Sequence, residues 1–304
     1  MRTVLLAVHV DRDEATKAAA AFAADLRAGG LDVCVLDTEE EALRAAGLDN
    51  AGVVVAGPGA AENCELAVVF GGDGTILRAA EMCRGTQTPL LGVNLGRVGF
   101  LAEADIEDVK DVVRGVVDRT YVVEERLTVD VSVSVGGEVV ATNWALNEAS
   151  VEKAARERML ELVVEIDDRP VSRWGCDGVV CATPTGSTAY NFSAGGPIVW
   201  PEVEALLMVP ISAHALFARP LVVSPDSTLA IEIVGERTTG VLWCDGRRAA
   251  DLPIGARIEV RRGNTPVRLA RLNPAPFADR LVRKFDLPVS GWRGAAERRR
   301  EDRA

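Results

Sequence analysis

Three short stretches of the chain gather residue types that chemistry uses. The first is Gly71-Gly72-Asp73-Gly74-Thr75, directly after the apolar run Ala67–Phe70 and directly before Ile76–Arg84, where Ile76, Leu77 and Ala80 share one helical face. A loop at the carboxyl end of a parallel strand is where open α/β sheets bind ligands. Glycines there let a substrate approach the backbone, and the start of a helix offers N–H groups to anions. The carboxylate of Asp73 has three roles open to it: a base, a metal ligand, or a cap on the helix. Three flanking glycines exceed what a cap requires. Two phosphate-binding loops are excluded. The chain has no GxxxxGK followed by Ser or Thr, and Gly72-Asp73-Gly74-Thr75-Ile76-Leu77 places leucine where the dinucleotide fingerprint needs its third glycine.

The second stretch is Leu146-Asn147-Glu148, at the end of an apolar run. An amide followed by a carboxylate can hold a ribose by its hydroxyls, although the dipeptide alone is by default a turn. The third is Cys176-Asp177-Gly178 followed by Thr183-Pro184-Thr185-Gly186-Ser187-Thr188-Ala189-Tyr190. Hydroxyls alone read as a polar loop tip. Ser193-Ala194-Gly195-Gly196-Pro197 prolongs the run, however, and a loop of small residues this long implies that something docks closely. The six cysteines form no CxxC pair and lie near neither His9 nor His214, so a zinc site is not expected. His9, at the end of the first apolar run, reads as a buried and satisfied histidine. Trp174, Trp200 and Trp243 read as core or interface aromatics rather than stacking platforms.

The elements that must position these residues change character along the chain. Val4–Val8, Val33–Leu36, Val53–Ala56, Leu66–Phe70 and Leu90–Val93 have strand length and are apolar, while Glu14–Ala28 is an Ala-rich helix stopped by Gly29-Gly30. Strand, helix, strand in succession predicts a parallel sheet with right-handed crossovers. From Leu127 the pattern is one of many short strands. Leu127–Val135 alternates apolar and polar residues and turns at Gly136-Gly137 into Glu138–Ala141, and Leu162–Ile166, Val179–Ala182, Leu221–Val223, Leu229–Val234, Arg257–Arg261 and Val267–Leu272 follow. Phe277–Phe285 regains helical spacing. The expectation is an α/β domain over 1–122 plus 276–304 and a β-rich domain over 123–275.

Composition narrows the classes. Hydrophobic residues at 48% and charged residues at 26% fit a globular protein with a core. A net charge of −11 argues against a nucleic-acid binder. The apolar start Met1–Val10 is too short to span a membrane and meets Asp11-Arg12-Asp13-Glu14 at once. Scattered cysteines without a signal peptide fit a cytoplasmic protein, and the basic run Arg293–Arg303 reads as a solvated terminus.

On GGDGTILRAAE, the Leu91–Glu103 run, LNE, DGVVCATPTGSTAYNFSAGGPI and HALFARPLV, in this order from Val4 to Trp292, the chain resembles the NAD kinases, especially those of actinobacterial type. GGDGT is shared with phosphofructokinases and lipid kinases, whereas its combination with LNE and TPTGSTAY is specific. The resemblance implies a phosphoryl transfer to the adenosine-ribose 2′-hydroxyl of NAD, from ATP or polyphosphate, with Mg²⁺ or Mn²⁺ accompanying the donor and no metal ligand assigned in the chain. By the same resemblance Asp73 accepts the hydroxyl proton, with Gly72 and Gly74 beside the substrate and Arg78 facing phosphates. Asn147 and Glu148 hold ribose hydroxyls, Asp177 reaches the nicotinamide half, and Thr188, Ala189, Tyr190, Asn191, Phe192 and Ser193 surround adenosine. Arg158 and Ala213 fall near substrate-contacting positions. A homodimer or homotetramer built through the β-rich domain is implied as well. Two rivals stay open: a non-catalytic NAD(P)-binding sensor, and a kinase of the same superfamily acting on another hydroxyl.

Overall fold

The structure, a computed structural model, describes residues 2–95, 99–102, 104–105, 108–155, 158–235, 238–272 and 276–289. The chain divides into two compact units, Met1–Glu124 with Leu269–Ala304, and Glu125–Arg268.

The first unit alternates strands and helices. In order they are β1 (Thr3–Val8), α1 (Asp13–Ala28), β2 (Asp32–Leu36), α2 (Glu40–Ala45), β3 (Gly52–Val54), β4 (Leu66–Phe70), α3 (Asp73–Cys83), β5 (Leu90–Asn94), β6 (Ala104–Asp105) and α4 (Val109–Asp118), followed by β7 (Val122–Arg126). β1, β4 and β5 are buried on both faces, which is why they read as continuous aliphatic runs. They form a sheet in the order β3-β2-β1-β4-β5-β20-β7 with β6 beside β5, where β20 (Val267–Arg271) comes from late in the chain. β1 pairs in parallel with β2 on one side and β4 on the other. The strand order therefore reverses between β1 and β4, and that switch point is where such sheets open a crevice at their carboxyl ends. α1 covers one face, burying Ala15, Ala19, Phe22, Ala23 and Leu26. Phe22 meets Phe70 edge-on at 5.3 Å.

The second unit is made of β8 (Val129–Val135), β9 (Glu138–Ala145), β10 (Glu148–Lys153), β11 (Leu160–Ile166), β12 (Arg169–Cys176) and β13 (Gly178–Ala182). A short 3₁₀ turn (Thr185–Thr188) and α5 (Tyr190–Ser193) follow. β14 (Leu206–Ile211), β15 (Leu221–Val223), β16 (Leu229–Ile233), β17 (Gly240–Cys244), β18 (Arg248–Leu252) and β19 (Ala256–Arg262) complete it, and the chain then runs through β20 to α6 (Phe277–Phe285). Two six-stranded antiparallel sheets result, β15-β14-β13-β10-β17-β18 and β12-β11-β16-β19-β8-β9. One core lies between them, drawing Val151, Cys181 and Leu242 from the first sheet and Leu162, Ile231 and Ile258 from the second.

Several elements differ from expectation. α3 starts at Asp73 rather than Ile76, because Gly72 in extended conformation (φ −92°, ψ −173°) ends the loop three residues earlier than expected. β3 is only Gly52–Val54. The run at 267–272, placed by pattern with the β-rich part, pairs in parallel with β5 through Leu269 and Leu90. Its burial on both faces, with Leu269, Ala270 and Arg271 all enclosed, is that of a parallel-sheet strand.

Candidate active site

The loop leaving β4 lies at the switch point, and its three glycines do different work. The Gly71 N–H donates to Val93 O at 3.0 Å. A β-carbon on Gly71 would lie 2.4 Å from Thr75 Oγ1, so this glycine serves internal packing. A β-carbon on Gly72 or Gly74 would meet nothing within 4 Å. Those two, not Gly71, leave space that a ligand can use.

Asp73 is the first residue of α3 and is half-buried. Its Oδ2 accepts the Phe100 N–H at 3.1 Å and its Oδ1 the Leu101 N–H at 3.2 Å. No side chain caps this helix, so the cap role left open above is not the one its carboxylate plays. Instead the segment at 99–101 grips it from outside. That approach requires Gly99, where a β-carbon would stand 2.3 Å from Asp73 Oδ1. Each carboxylate oxygen keeps a second lone pair for an incoming donor.

Arg78 lies further along α3. Its Nη2 donates to Val8 O at 2.8 Å and pairs with the carboxylate of Glu39. Glu39 is buried, and its Oε2 accepts the Val8 N–H at 2.8 Å. Burial raises the proton affinity of Glu39 above the usual carboxylate range, with the Arg78 charge opposing it. The arginine expected to face phosphates is thus tied to the carboxyl end of β1. His9 is half-buried rather than enclosed, because it lies one residue past β1 at the edge of the core.

In the second unit Asn147 and Glu148 sit where β9 gives way to β10, both buried. Asp245 holds this junction. Its Oδ2 accepts the Leu146 N–H at 3.0 Å and its Oδ1 the Asn147 N–H at 2.7 Å. Asp245 and Gly246 both have positive φ, at 53° and 62°, and the turn they make after β17 aims the carboxylate inward. The Asp245 N–H returns a bond to Glu148 O at 2.9 Å. Arg248 Nη2 pairs with Asp245 at 2.8 Å and its guanidinium lies 4.6 Å over the Trp144 ring. From the other side Thr183 Oγ1 donates to Leu146 O at 2.6 Å, and Gly186 packs so closely that a β-carbon would stand 2.0 Å from Asn147 O.

Glu148 is the most perturbed acid of this group. Burial, then the charge of Asp245, push its carboxyl up to about 8, while the backbone N–H of Tyr190 donates to it and pulls the other way. Its Oε2 is buried and has no partner among the described residues. A buried acceptor of this kind costs free energy until a donor reaches it, and a sugar hydroxyl supplies one. Ser150 and Glu152 follow at two-residue spacing on β10, joined by a 2.6 Å bond from Ser150 Oγ to Glu152 Oε1.

The remaining candidates divide. Asp177 forms an ion pair with Lys153 at 2.5 Å. Lys153, with Ser212 and the charge of His214 adding to it, lowers its carboxyl below the usual range. Tyr190, Phe192 and Ser193 are exposed, and Thr188 and Ala189 half-buried. Asn191 is fully enclosed, its Nδ2 donating to Ser187 O at 3.3 Å and Pro197 O at 3.2 Å, so it braces the loop from inside. Arg158 is exposed in the turn before β11, and Ala213 packs against the second unit's core. Trp174 is a core residue, donating to Phe217 O at 3.0 Å, but Trp200 and Trp243 are exposed on the surface. The sequence alone did not single out Gly99, Ser150, Glu152, Lys153 or Asp245. An Asp-Gly turn between two β-strands was the available signal for Asp245, and two-residue alternation from Glu148 the signal for Ser150 and Glu152.

A carboxylate at a helix start on a switch-point loop in one unit, and in the other a buried carboxylate with one oxygen lacking a partner among the described residues, are features that suit a nucleotide-handling enzyme. The comparisons narrow it. Residues 4–121 match the family model of the ATP-NAD kinase N-terminal domain, and 146–272 that of the C-terminal domain. The NAD kinase of Thermobifida fusca is 60% identical over 98% of this chain and 93% of its own. Among solved structures, yeast NADH kinase complexed with NADH superposes with a TM-score of 0.84 at 27% identity, covering 95% of this chain and 89% of that one. An NAD kinase from Archaeoglobus fulgidus in complex with ATP gives 0.70 at 27% identity, over 94% and 100%. The chain belongs to the NAD kinase family. Among the described residues no helix is long and apolar enough to cross a membrane.

Proposed function

We propose that this enzyme transfers a phosphoryl group from ATP or polyphosphate to the adenosine-ribose 2′-hydroxyl of NAD, giving NADP, with Asp73 as the general base. The observation that carries the assignment is the Asp73 carboxylate, oriented by two backbone N–H bonds beside the open flank of Gly72 and Gly74. A ribose hydroxyl is a poor nucleophile at neutral pH, and a positioned base contributes about 10²–10⁴-fold. Phosphoryl transfer otherwise asks for positioning and charge stabilisation. Arg78, held by Glu39 yet 27% exposed at its side chain, is suited to a phosphate. Recognition falls to the second unit. Glu148 takes ribose hydroxyls with its partnerless oxygen, Asn147 stands beside it, and Asp177 serves the nicotinamide half. Thr188–Ser193 lines adenosine, with Asn191 as its internal brace.

Among the described residues no group of three or more Asp, Glu, His or Cys side chains could hold an ion. In this reading Mg²⁺ or Mn²⁺ enters as part of the donor complex. The reading includes a homodimer or homotetramer in the cytoplasm.

The test is direct. The purified protein is incubated with NAD, Mg²⁺ and either ATP or polyphosphate, and NADP is measured with an NADP-specific dehydrogenase. NADP formation with one donor supports the reaction and identifies that donor. Asp73→Asn is expected to lose turnover while still binding NAD. Retained turnover in that variant reassigns the base, and silence of the parent protein with both donors favours another hydroxyl acceptor or a sensor.

A further inference from the structure

Cys34 lies in β2 and Cys64 in the segment before β4, and their Sγ atoms stand 3.5 Å apart across 30 residues of sequence. A disulfide bond spans about 2.05 Å, so side-chain rotation has only about 1.5 Å to close. The two thiols differ in access. Cys34 is buried and Cys64 half-buried, while Cys83, Cys176, Cys181 and Cys244 are all buried. They also differ in chemistry. The hydrogen bond between them lowers the Cys64 thiol below its ordinary value, and the same bond together with burial raises Cys34. The more acidic thiol is therefore the reachable one, which is the arrangement of an attacking and a resolving cysteine. The segment carrying Cys64 is held in place. The single Thr88 hydroxyl hydrogen is shared between Ala61 O at 2.7 Å and Cys64 O at 2.9 Å, and the Gly59 N–H donates to Met82 O at 3.0 Å.

We propose that Cys34 and Cys64 form a redox-active pair, closed to a reversible disulfide by oxidants of the peroxide class. The Cys64 thiolate attacks one peroxide oxygen, the O–O bond breaks, and one water leaves after protonation. The resulting sulfenic acid is attacked by the Cys34 sulfur. Its S–O bond breaks, the Cys34 proton goes to the departing oxygen, and a second water leaves. Two thiols lose two electrons and one peroxide becomes two waters. Where a compartment is kept reducing, a pair of this kind closes transiently as a sensor.

The experiment treats the full-length protein with hydrogen peroxide, alkylates the remaining thiols, and maps linked peptides by mass spectrometry without reduction. The expected result is loss of two of the six thiols, a Cys34–Cys64 linked peptide, and full recovery with dithiothreitol. In Cys34→Ser the link vanishes and Cys64 accumulates as sulfenic acid trapped by dimedone. In Cys64→Ser neither thiol loss nor trapping occurs at Cys34. An unchanged thiol count in the parent protein, a Cys64–Cys83 or intermolecular link, or thiol loss persisting in Cys64→Ser overturns the proposal. The peptide map of the parent protein decides the pairing even where a variant fails to fold.

Discussion

The α-carbon of Gly99 faces the carboxylate of Asp73 so closely that a β-carbon there would stand 2.3 Å from Oδ1. The same segment donates the Phe100 and Leu101 N–H groups to both carboxylate oxygens. Substituting Gly99 by alanine must therefore push the segment back or turn the carboxylate, and either motion breaks the two bonds that aim it. We expect Gly99→Ala to lower kcat by about 10²-fold or more, approaching the loss of a general base, while KM for NAD changes little. A kcat within a few-fold of the parent protein would show that the 99–101 grip does not orient the base.

Glu148 makes stability fall with pH in a window set by its own environment. Its carboxyl is raised from 4.5 to about 8, with burial as the largest cause. Between those values the folded chain holds a proton that the unfolded chain has released, so folding weakens as pH rises and levels off above about 8. Asp245 is raised as well and adds a slope in the same direction. Glu148→Gln keeps an acceptor for the Tyr190 N–H but carries no titrating proton. Its stability advantage over the parent protein should be small at acidic pH and grow to roughly 2–4 kcal/mol near the top of the window, because each pH step of one within it is worth about 1.4 kcal/mol. Urea denaturation across this range measures it, and parallel curves for the two proteins would refute the assignment.

These two groups show what sequence could and could not reveal. The parallel sheet was legible because strands buried on both faces, such as Leu66–Phe70, must be unbroken aliphatic runs. Asp73 stood out as a candidate because Gly72 and Gly74 flank it with no packing reason of their own. Its partner Gly99 was not, since nothing local in the sequence says that a segment 27 residues later folds back on it. Asp245 was hidden in the same way, 98 residues from the Asn147 amide it holds. The run at 267–272 was misplaced because a short apolar-rich run looks alike in an edge of a β-sandwich and in a parallel sheet.

Arg248 supports the Asn147–Glu148 junction through Asp245 rather than touching it. Asp245 is almost wholly enclosed, its side chain 1% exposed, and Arg248 is its ion-pair partner at 2.8 Å. Arg248 also donates to Asn143 Oδ1 at 3.0 Å and to Trp144 O at 2.7 Å. Removing one member of a buried pair leaves the other charge uncompensated, at a cost of about 3–5 kcal/mol. Arg248→Ala should therefore destabilise the fold by about 3 kcal/mol, since Arg248 itself is partly solvated. It should also raise KM for NAD more than it lowers kcat, because the proposed ribose contact is loosened while the proposed base is untouched. Chemical denaturation and steady-state kinetics test both halves. A stable variant with unchanged KM would sink the supporting role.

Two glycines separate space the fold needs from space a ligand needs. At Gly186 a β-carbon would lie 2.0 Å from the backbone oxygen of Asn147, and backbone cannot step aside as a side-chain tip can. Gly186→Ala is expected to cost about 3 kcal/mol, at the upper end for overpacking. Gly74 is the opposite case. It stands in the first turn of α3, exposed, and a β-carbon there would meet nothing within 4 Å. Alanine is the better helix former by roughly 0.5–1 kcal/mol, so Gly74→Ala should fold as well as the parent protein or slightly better. If the open flank of Asp73 is where the NAD ribose approaches, the added methyl occupies the substrate's place and activity falls by at least tenfold in kcat/KM. Thermal melts and NADP formation, measured on the same preparation, decide the matter. A stabilised and fully active Gly74→Ala would mean that the substrate comes to Asp73 from another side.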